Sequence, residues 1–226
     1  MNIKAVLIDI DNTLLDFDKS ALEAMLIVAN KYSVIFPDGF FEVFQRINNK
    51  LWSELEEAAI TKSDIYKRRW KEIFDELGIT ADHDAFEEDF RKELRSIAVP
   101  VDGAEELLRY LSEKYPVYSA SNASKPQQEI RLEKAGLLKY FSGMFISEDI
   151  GFQKPSKEFF YACCSELYPL KAEEIVMIGD SVDADIIGAK NFGLKSIWFN
   201  YYNKEYDSYN FTDKYVSKLE DIKNII

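Results

Sequence analysis

Two aspartates two residues apart close an apolar run near the start of the chain, in "AVLIDIDNTLLDF" from Ala5 to Phe17. On an extended strand Asp9 and Asp11 face one side while Ile10 faces the other. Two acids ending an apolar strand cost stability unless a metal or a reaction compensates. Catalysis at such a place would run on carboxylates, a lysine and a metal. Crowded carboxylates also favour a hard divalent cation, and Mg²⁺ prefers oxygen ligands. Other polar residues follow or precede apolar runs in the same way. "SASNAS" offers Ser121 and Asn122, "VMIGDSVDADI" offers Asp180, Asp183 and Asp185, and "GFQKPSKEFF" sets Lys154 ahead of a Pro-Ser helix start. Taken singly, Ser121 also reads as a turn hydroxyl and Lys154 as a solvated lysine. Competing chemistries are poorly supplied. His83 is the sole histidine, which excludes a histidine-rich zinc site. Cys163 and Cys164 are adjacent and read as small apolar residues inside a helix.

These residues need a scaffold that gathers them. Strand-like runs at 4–10, 117–120, 144–146, 175–178 and 196–199 alternate with amphipathic segments at 104–113, 127–136, 157–167 and 184–192. That alternation predicts an α/β fold with a parallel sheet and helices on both faces. Ligands of such a sheet gather at the carboxyl ends of its strands, where the acids, the hydroxyl and the lysine would meet. From Lys19 to Ile97 only helical spacing appears. Four apolar stripes, exemplified by Leu22–Met25–Leu26–Ala29 and Tyr66–Trp70–Ile73–Phe74–Leu77, predict four helices inserted after the first strand. Thr61 with Asp64 marks a helix start and Gly78 a stop. The expected division is a catalytic domain of 1–16 with 99–226, and a helical domain of 17–98.

Charge narrows the partners. Against 28 basic side chains stand 40 acidic ones, a formal net charge of −12 over 226 residues. Such a surface repels nucleic acid and anionic membrane, so any anion site must be made positive locally. No apolar run approaches the roughly 18 residues of a spanning helix. Asp9 and Asp11 also interrupt the N-terminal run before it reaches the length of a secretory signal. The expectation is a soluble, cytoplasmic protein acting on a small molecule.

The pattern resembles the haloacid-dehalogenase (HAD) superfamily of aspartate-nucleophile phosphatases. The signatures are D-x-D-x-T at Asp9, Asp11 and Thr13, a strand-terminal serine at Ser121, a lone lysine at Lys154, and G-D-x-x-x-x-D at Gly179, Asp180 and Asp185. Four signatures in order are specific where one D-x-D is not. Asp183 fits the last spacing less well than Asp185 and is read as a helix-start acid. The resemblance implies a Rossmann-like core with a helical cap. It implies Asp9 as nucleophile and Asp11 as general acid and base. Mg²⁺ would lie at Asp9, Asp11 and Asp180, with Asp185 holding a ligand water. Lys154, Ser121 and the N–H groups of Asn12 and Asn122 would hold phosphate, with Thr13 supporting the turn. Dehalogenases lack an acid at the Asp11 position because halide leaves without a proton, so phosphoryl transfer is favoured; mutases carry the acid too.

Helical stretches such as "INNKLWSELEEAAITKSDIYKRRW" and "FISEDIGFQKP" resemble the bacterial pyrimidine 5′-nucleotidase branch. This implies a nucleoside monophosphate substrate, with Asn49, Lys50 and Trp52 as cap contacts. The alternatives are a broad sugar-phosphate or phosphoglycolate-type phosphatase, or an inactive binding module. Arg68 and Arg69 are expected on a solvated helix face.

Overall fold

The computed structural model describes residues 1–203, 205 and 209–226. The chain divides into two compact units, Met1–Asp16 with Ala98–Ile226, and Phe17–Ile97.

The first unit carries six strands: β1 (Ala5–Ile8), β2 (Val117–Ser121), β3 (Gly143–Ile146), β4 (Ile175–Gly179), β5 (Lys195–Phe199) and β6 (Lys214–Val216). They form one parallel sheet in the order β3-β2-β1-β4-β5-β6. Alternate residues of β1 serve opposite faces, as the two-residue period requires. Val6 and Ile8 pack with Leu107, Leu108 and Leu132, while Ala5 and Leu7 pack with Phe159, Phe160 and Cys163. All four β1 side chains are buried. Full burial of one such aliphatic side chain contributes roughly 1.5–3 kcal/mol, which is why both-faced strands read as unbroken apolar runs. Strand β6 departs from the expected five-strand sheet. Its three residues lie at the edge and two of them are exposed, so no apolar run marked it.

The second unit is helical: α1 (Phe17–Tyr32), α2 (Phe40–Glu56), α3 (Lys62–Leu77) and α4 (His83–Ser96). Thr61 and Asp64 cap α3 reciprocally, and Gly78 ends it in the left-handed conformation at φ 65°. Trp70 centres the apolar core, its ring centroid 4.3 Å from that of Phe86 and 5.3 Å from that of Phe90. The first unit's remaining helices are α5 (Ala104–Ser112), α6 (Lys125–Lys134), the single turn α7 (Ser147–Ile150), α8 (Lys157–Glu166) and α9 (Gly188–Phe192). A π-helical turn, Val182–Ile187, leads into α9. Among the described residues no helix is long and apolar enough to cross a membrane.

Arg69 corrects the expectation of a solvated face. It is buried, bonding Glu87 through two nitrogens at 3.1 and 2.6 Å and Asn48 at 3.0 Å. Its guanidinium also lies 4.9 Å from the Phe90 ring centroid. Adjacent helix positions point about 100° apart, so Arg68 instead stays partly exposed and pairs with Glu54 and Glu72. Burial raises the Glu87 carboxyl above its ordinary range and Arg69 opposes it. Arg69→Ala would leave Glu87 and Asn48 in an apolar core without their cation. The expected loss is about 3–5 kcal/mol in the unfolding of the helical unit, measured by urea titration, and far less for loss of an exposed pair such as Lys71–Asp75.

Candidate active site

The site lies at the carboxyl edge of the sheet beside β1, where the strand order reverses between β2 and β4. β1 delivers Asp9, whose N–H still donates to the Ile178 carbonyl at 2.9 Å. The chain then turns tightly. The Ile10 carbonyl accepts from the N–H groups of Thr13, Leu14 and Leu15, and Asn12 takes φ 58°. Asn12 corrects one expectation. Its N–H donates to the Leu15 carbonyl at 2.7 Å and so is engaged in closing the turn rather than facing a phosphate. Asparagine tolerates this left-handed conformation better than most residues.

Lys154 is the centre of the cluster. Its buried ammonium donates to Asp9 Oδ1 at 2.7 Å, Asp185 Oδ1 at 2.6 Å and the Ala120 carbonyl at 2.6 Å. An ammonium has three protons, and all three have acceptors. Burial alone would pull Lys154 down, but the Asp185 and Asp9 carboxylates outweigh it and hold the lysine above its ordinary value. Burial also pushes Asp9 up to about 7, opposed by Lys154 and reinforced by Asp185. Asn122 fixes the backbone of the lysine. Its side-chain nitrogen donates to the Lys154 carbonyl at 3.0 Å, and its side-chain oxygen accepts the Lys154 N–H at 2.9 Å.

From β4 come Asp180 and, a turn further on, Asp185. Thr13 Oγ1 lies 3.3 Å from Asp9 Oδ2 and 3.5 Å from Asp180 Oδ1, so its single proton is shared between the two strand ends. Asp185 accepts from the Ser181 N–H at 3.1 Å. Gly179 makes room for it: a Cβ there would lie 2.1 Å from Asp185 Oδ2 and 2.7 Å from Asp185 Cβ. Asp185 is buried, whereas Asp183 is exposed. One oxygen from each of Asp9, Asp180 and Asp185 lies within 4.8 Å of the others. Two of these carboxylates share one lysine and Asp180 adds a third charge, an excess of negative charge. With oxygen donors only, the set suits Mg²⁺ better than a softer metal.

Asp11 lies at the rim, its side chain 27% exposed. Gln128 and Arg131 of α6, which no sequence motif marked, hold it. Ser121, at the end of β2, accepts from Gln128 Nε2 at 3.0 Å. The sheet edge therefore unites Asp9, Asp11, Ser121, Asn122, Lys154, Asp180 and Asp185. Asn49, Lys50 and Trp52 belong to α2 of the helical unit. Asn49 and Lys50 are exposed and Trp52 is half-buried. Lys50 lies 3.7 Å from both Glu54 and Glu72.

Comparison with known proteins places this geometry among relatives. A family model described as haloacid dehalogenase-like hydrolase matches residues 3–193. Pyrimidine 5′-nucleotidase PynA of Streptococcus pneumoniae is 32% identical over 91% of this chain and 87% of its own length. Pyrimidine 5′-nucleotidase YjjG of Escherichia coli is 29% identical over 88% of this chain and 87% of its own. The crystal structure of YfnB from Bacillus subtilis bound to magnesium superposes with a TM-score of 0.92 at 30% identity, covering 99% of this chain and 98% of that one.

Mg²⁺ at about 100 times its dissociation constant should stabilise the fold by about 2.7 kcal/mol, seen as a rise in Tm, and Asp180→Asn should remove most of that rise. A proton on Asp9 competes with the cation, and Asp9 titrates near 7. Metal binding therefore releases a proton, and the Tm rise should shrink as pH falls from 8 to 6. A rise equal at both pH values would contradict the assigned donors.

Proposed function

The chain belongs to the haloacid dehalogenase-like hydrolases and is a phosphatase of that family; from that premise we propose a Mg²⁺-dependent 5′-nucleotidase working through an aspartyl-phosphate. The observation that carries the reading is the Asp9 carboxylate, buried and held by Lys154 beside Asp180 and Asp185.

In the first half-reaction an Asp9 oxygen attacks phosphorus, and the ester P–O bond breaks with its electron pair going to the leaving oxygen. Asp11 gives that oxygen a proton. In the second half, water attacks phosphorus, Asp11 takes the water's proton, and the bond to Asp9 breaks. Proton transfer of this kind contributes about 10²–10⁴-fold. Lys154 sets the orientation of Asp9 and offsets its charge, and Ser121 with the Asn122 N–H would bind phosphoryl oxygens. Asp9, Asp180 and the Asp11 carbonyl would hold Mg²⁺, Asp185 through a water, and the ion supplies charge that offsets repulsion between nucleophile and phosphate.

The substrate reading, a pyrimidine nucleoside monophosphate, draws on the likeness to PynA and YjjG. The helical unit would then act as a cap, with Asn49, Lys50 and Trp52 reading base or sugar. The cytoplasm is the compartment proposed, consistent with two free cysteines.

Asp9→Asn should abolish turnover of every substrate while keeping the fold, read by circular dichroism. Near-native activity in that variant would remove Asp9 from its role. Phosphate release from a panel should be led by UMP, dUMP or dTMP and require Mg²⁺. Preference for sugar phosphates or phosphoglycolate would keep the mechanism and discard the nucleotide. Release from no substrate would favour a binding module.

A further inference from the structure

Helix α6 carries two polar side chains that its position alone does not require. Gln128 and Arg131 stand three residues apart on one helix face, and both are fully buried. Gln128 Nε2 donates to Asp11 Oδ2 at 2.6 Å and to Ser121 Oγ at 3.0 Å. Arg131 Nη1 donates to Asp11 Oδ1 and, at 3.3 Å, to Gln128 Oε1. A buried guanidinium costs several kcal/mol unless paired, and its anionic partner here is the carboxylate at the rim of the candidate site.

We propose that Gln128 and Arg131 are positioning residues for proton transfer: they fix the Asp11 carboxyl against the leaving oxygen and hold it in register with Ser121. The proposal rests on the phosphomonoesterase reading, in which Asp11 carries the proton. Without them Asp11 is a partly exposed side chain on a tight loop, free to turn among rotamers. Displacing a reacting group by about 1 Å can cost on the order of 10²-fold in rate. A carboxylate offers about four lone-pair sites, so the two contacts from α6 leave capacity on the open side. Through Gln128, the same clasp ties the proton carrier to the Ser121 hydroxyl. The loop after β1 and the end of β2 are thereby joined by one helix face.

A purely structural tether between α6 and the β1 loop would use the same contacts, so the test must read proton transfer. The measured quantity is kcat/KM for two substrates of each variant. One is the best alkyl phosphomonoester of the panel, whose alkoxide needs a proton. The other is 4-nitrophenyl phosphate, whose phenolate departs with little need of one. kcat/KM covers steps only through ester cleavage, so the later work of Asp11 on water does not enter. Arg131→Met should lower the ratio of alkyl to nitrophenyl kcat/KM by about 10- to 100-fold, inside the range of general acid catalysis. Arg131→Lys should recover part of that ratio. Gln128→Met, which keeps the cation, should move it the same way by a smaller factor, and it carries the test if Arg131→Met does not fold. Equal losses on both substrates would overturn the proposal and leave a tether. A wild-type protein that cleaves neither substrate would overturn the phosphomonoesterase reading itself, and the proposal with it.

Discussion

One ammonium group organises the candidate site. Lys154 is buried and binds Asp9, Asp185 and the Ala120 carbonyl at once. Three carboxylates within 4.8 Å repel one another, and a single lysine cannot neutralise them. The remaining negative charge makes a place for a dication, and burial, reinforced by Asp185, pushes Asp9 up to about 7 against the pull of Lys154. Remove the lysine and the carboxylates must take up protons or move apart. The arrangement of Thr13, Asn122 and Gly179 makes sense around that constraint. Thr13 bridges two of the acids, Asn122 fixes the lysine's own backbone, and Gly179 lets Asp185 approach within the space a methyl would fill.

The parallel sheet makes such a convergence possible. β1 lies between β2 and β4, so residues just beyond three strands meet at one edge although they are far apart in sequence. Lys154 and Asp9 are separated by 145 residues. Both faces of the central strands are covered, and β1, β2 and β4 are packed by apolar side chains above and below, which holds these ends in place. Polar residues at the edge are then placed by the core rather than by the loops that carry them.

Much of this was legible in the sequence because apolar runs end abruptly in polar residues. Asp9, Ser121 and Asp180 each stand at or just past a strand, and the spacing of Gly179, Asp180 and Asp185 distinguished Asp185 from Asp183. The rest was hidden for physical reasons. Gln128 and Arg131 are polar residues at helical spacing, a pattern shared with any solvated helix face. Only the fold brings them to Asp11, 117 and 120 residues away. Arg69 looked like its neighbour Arg68, since adjacent positions in a charged stretch do not declare which one turns inward. That the Asn12 N–H closes its turn on Leu15 depends on a backbone angle that residue type only permits, so the resemblance alone implies a phosphate contact there. β6 is too short and too exposed to leave a pattern.

The central claim, that Asp9 is the nucleophile, is tested most directly by trapping the intermediate. Protein mixed with substrate and Mg²⁺ is quenched in acid within a fraction of a turnover, digested and weighed by mass spectrometry. An added phosphoryl group of about 80 Da should appear on the peptide that holds Asp9, localised to that carboxylate. A phosphoryl group on any other residue, or none during steady turnover, would contradict it.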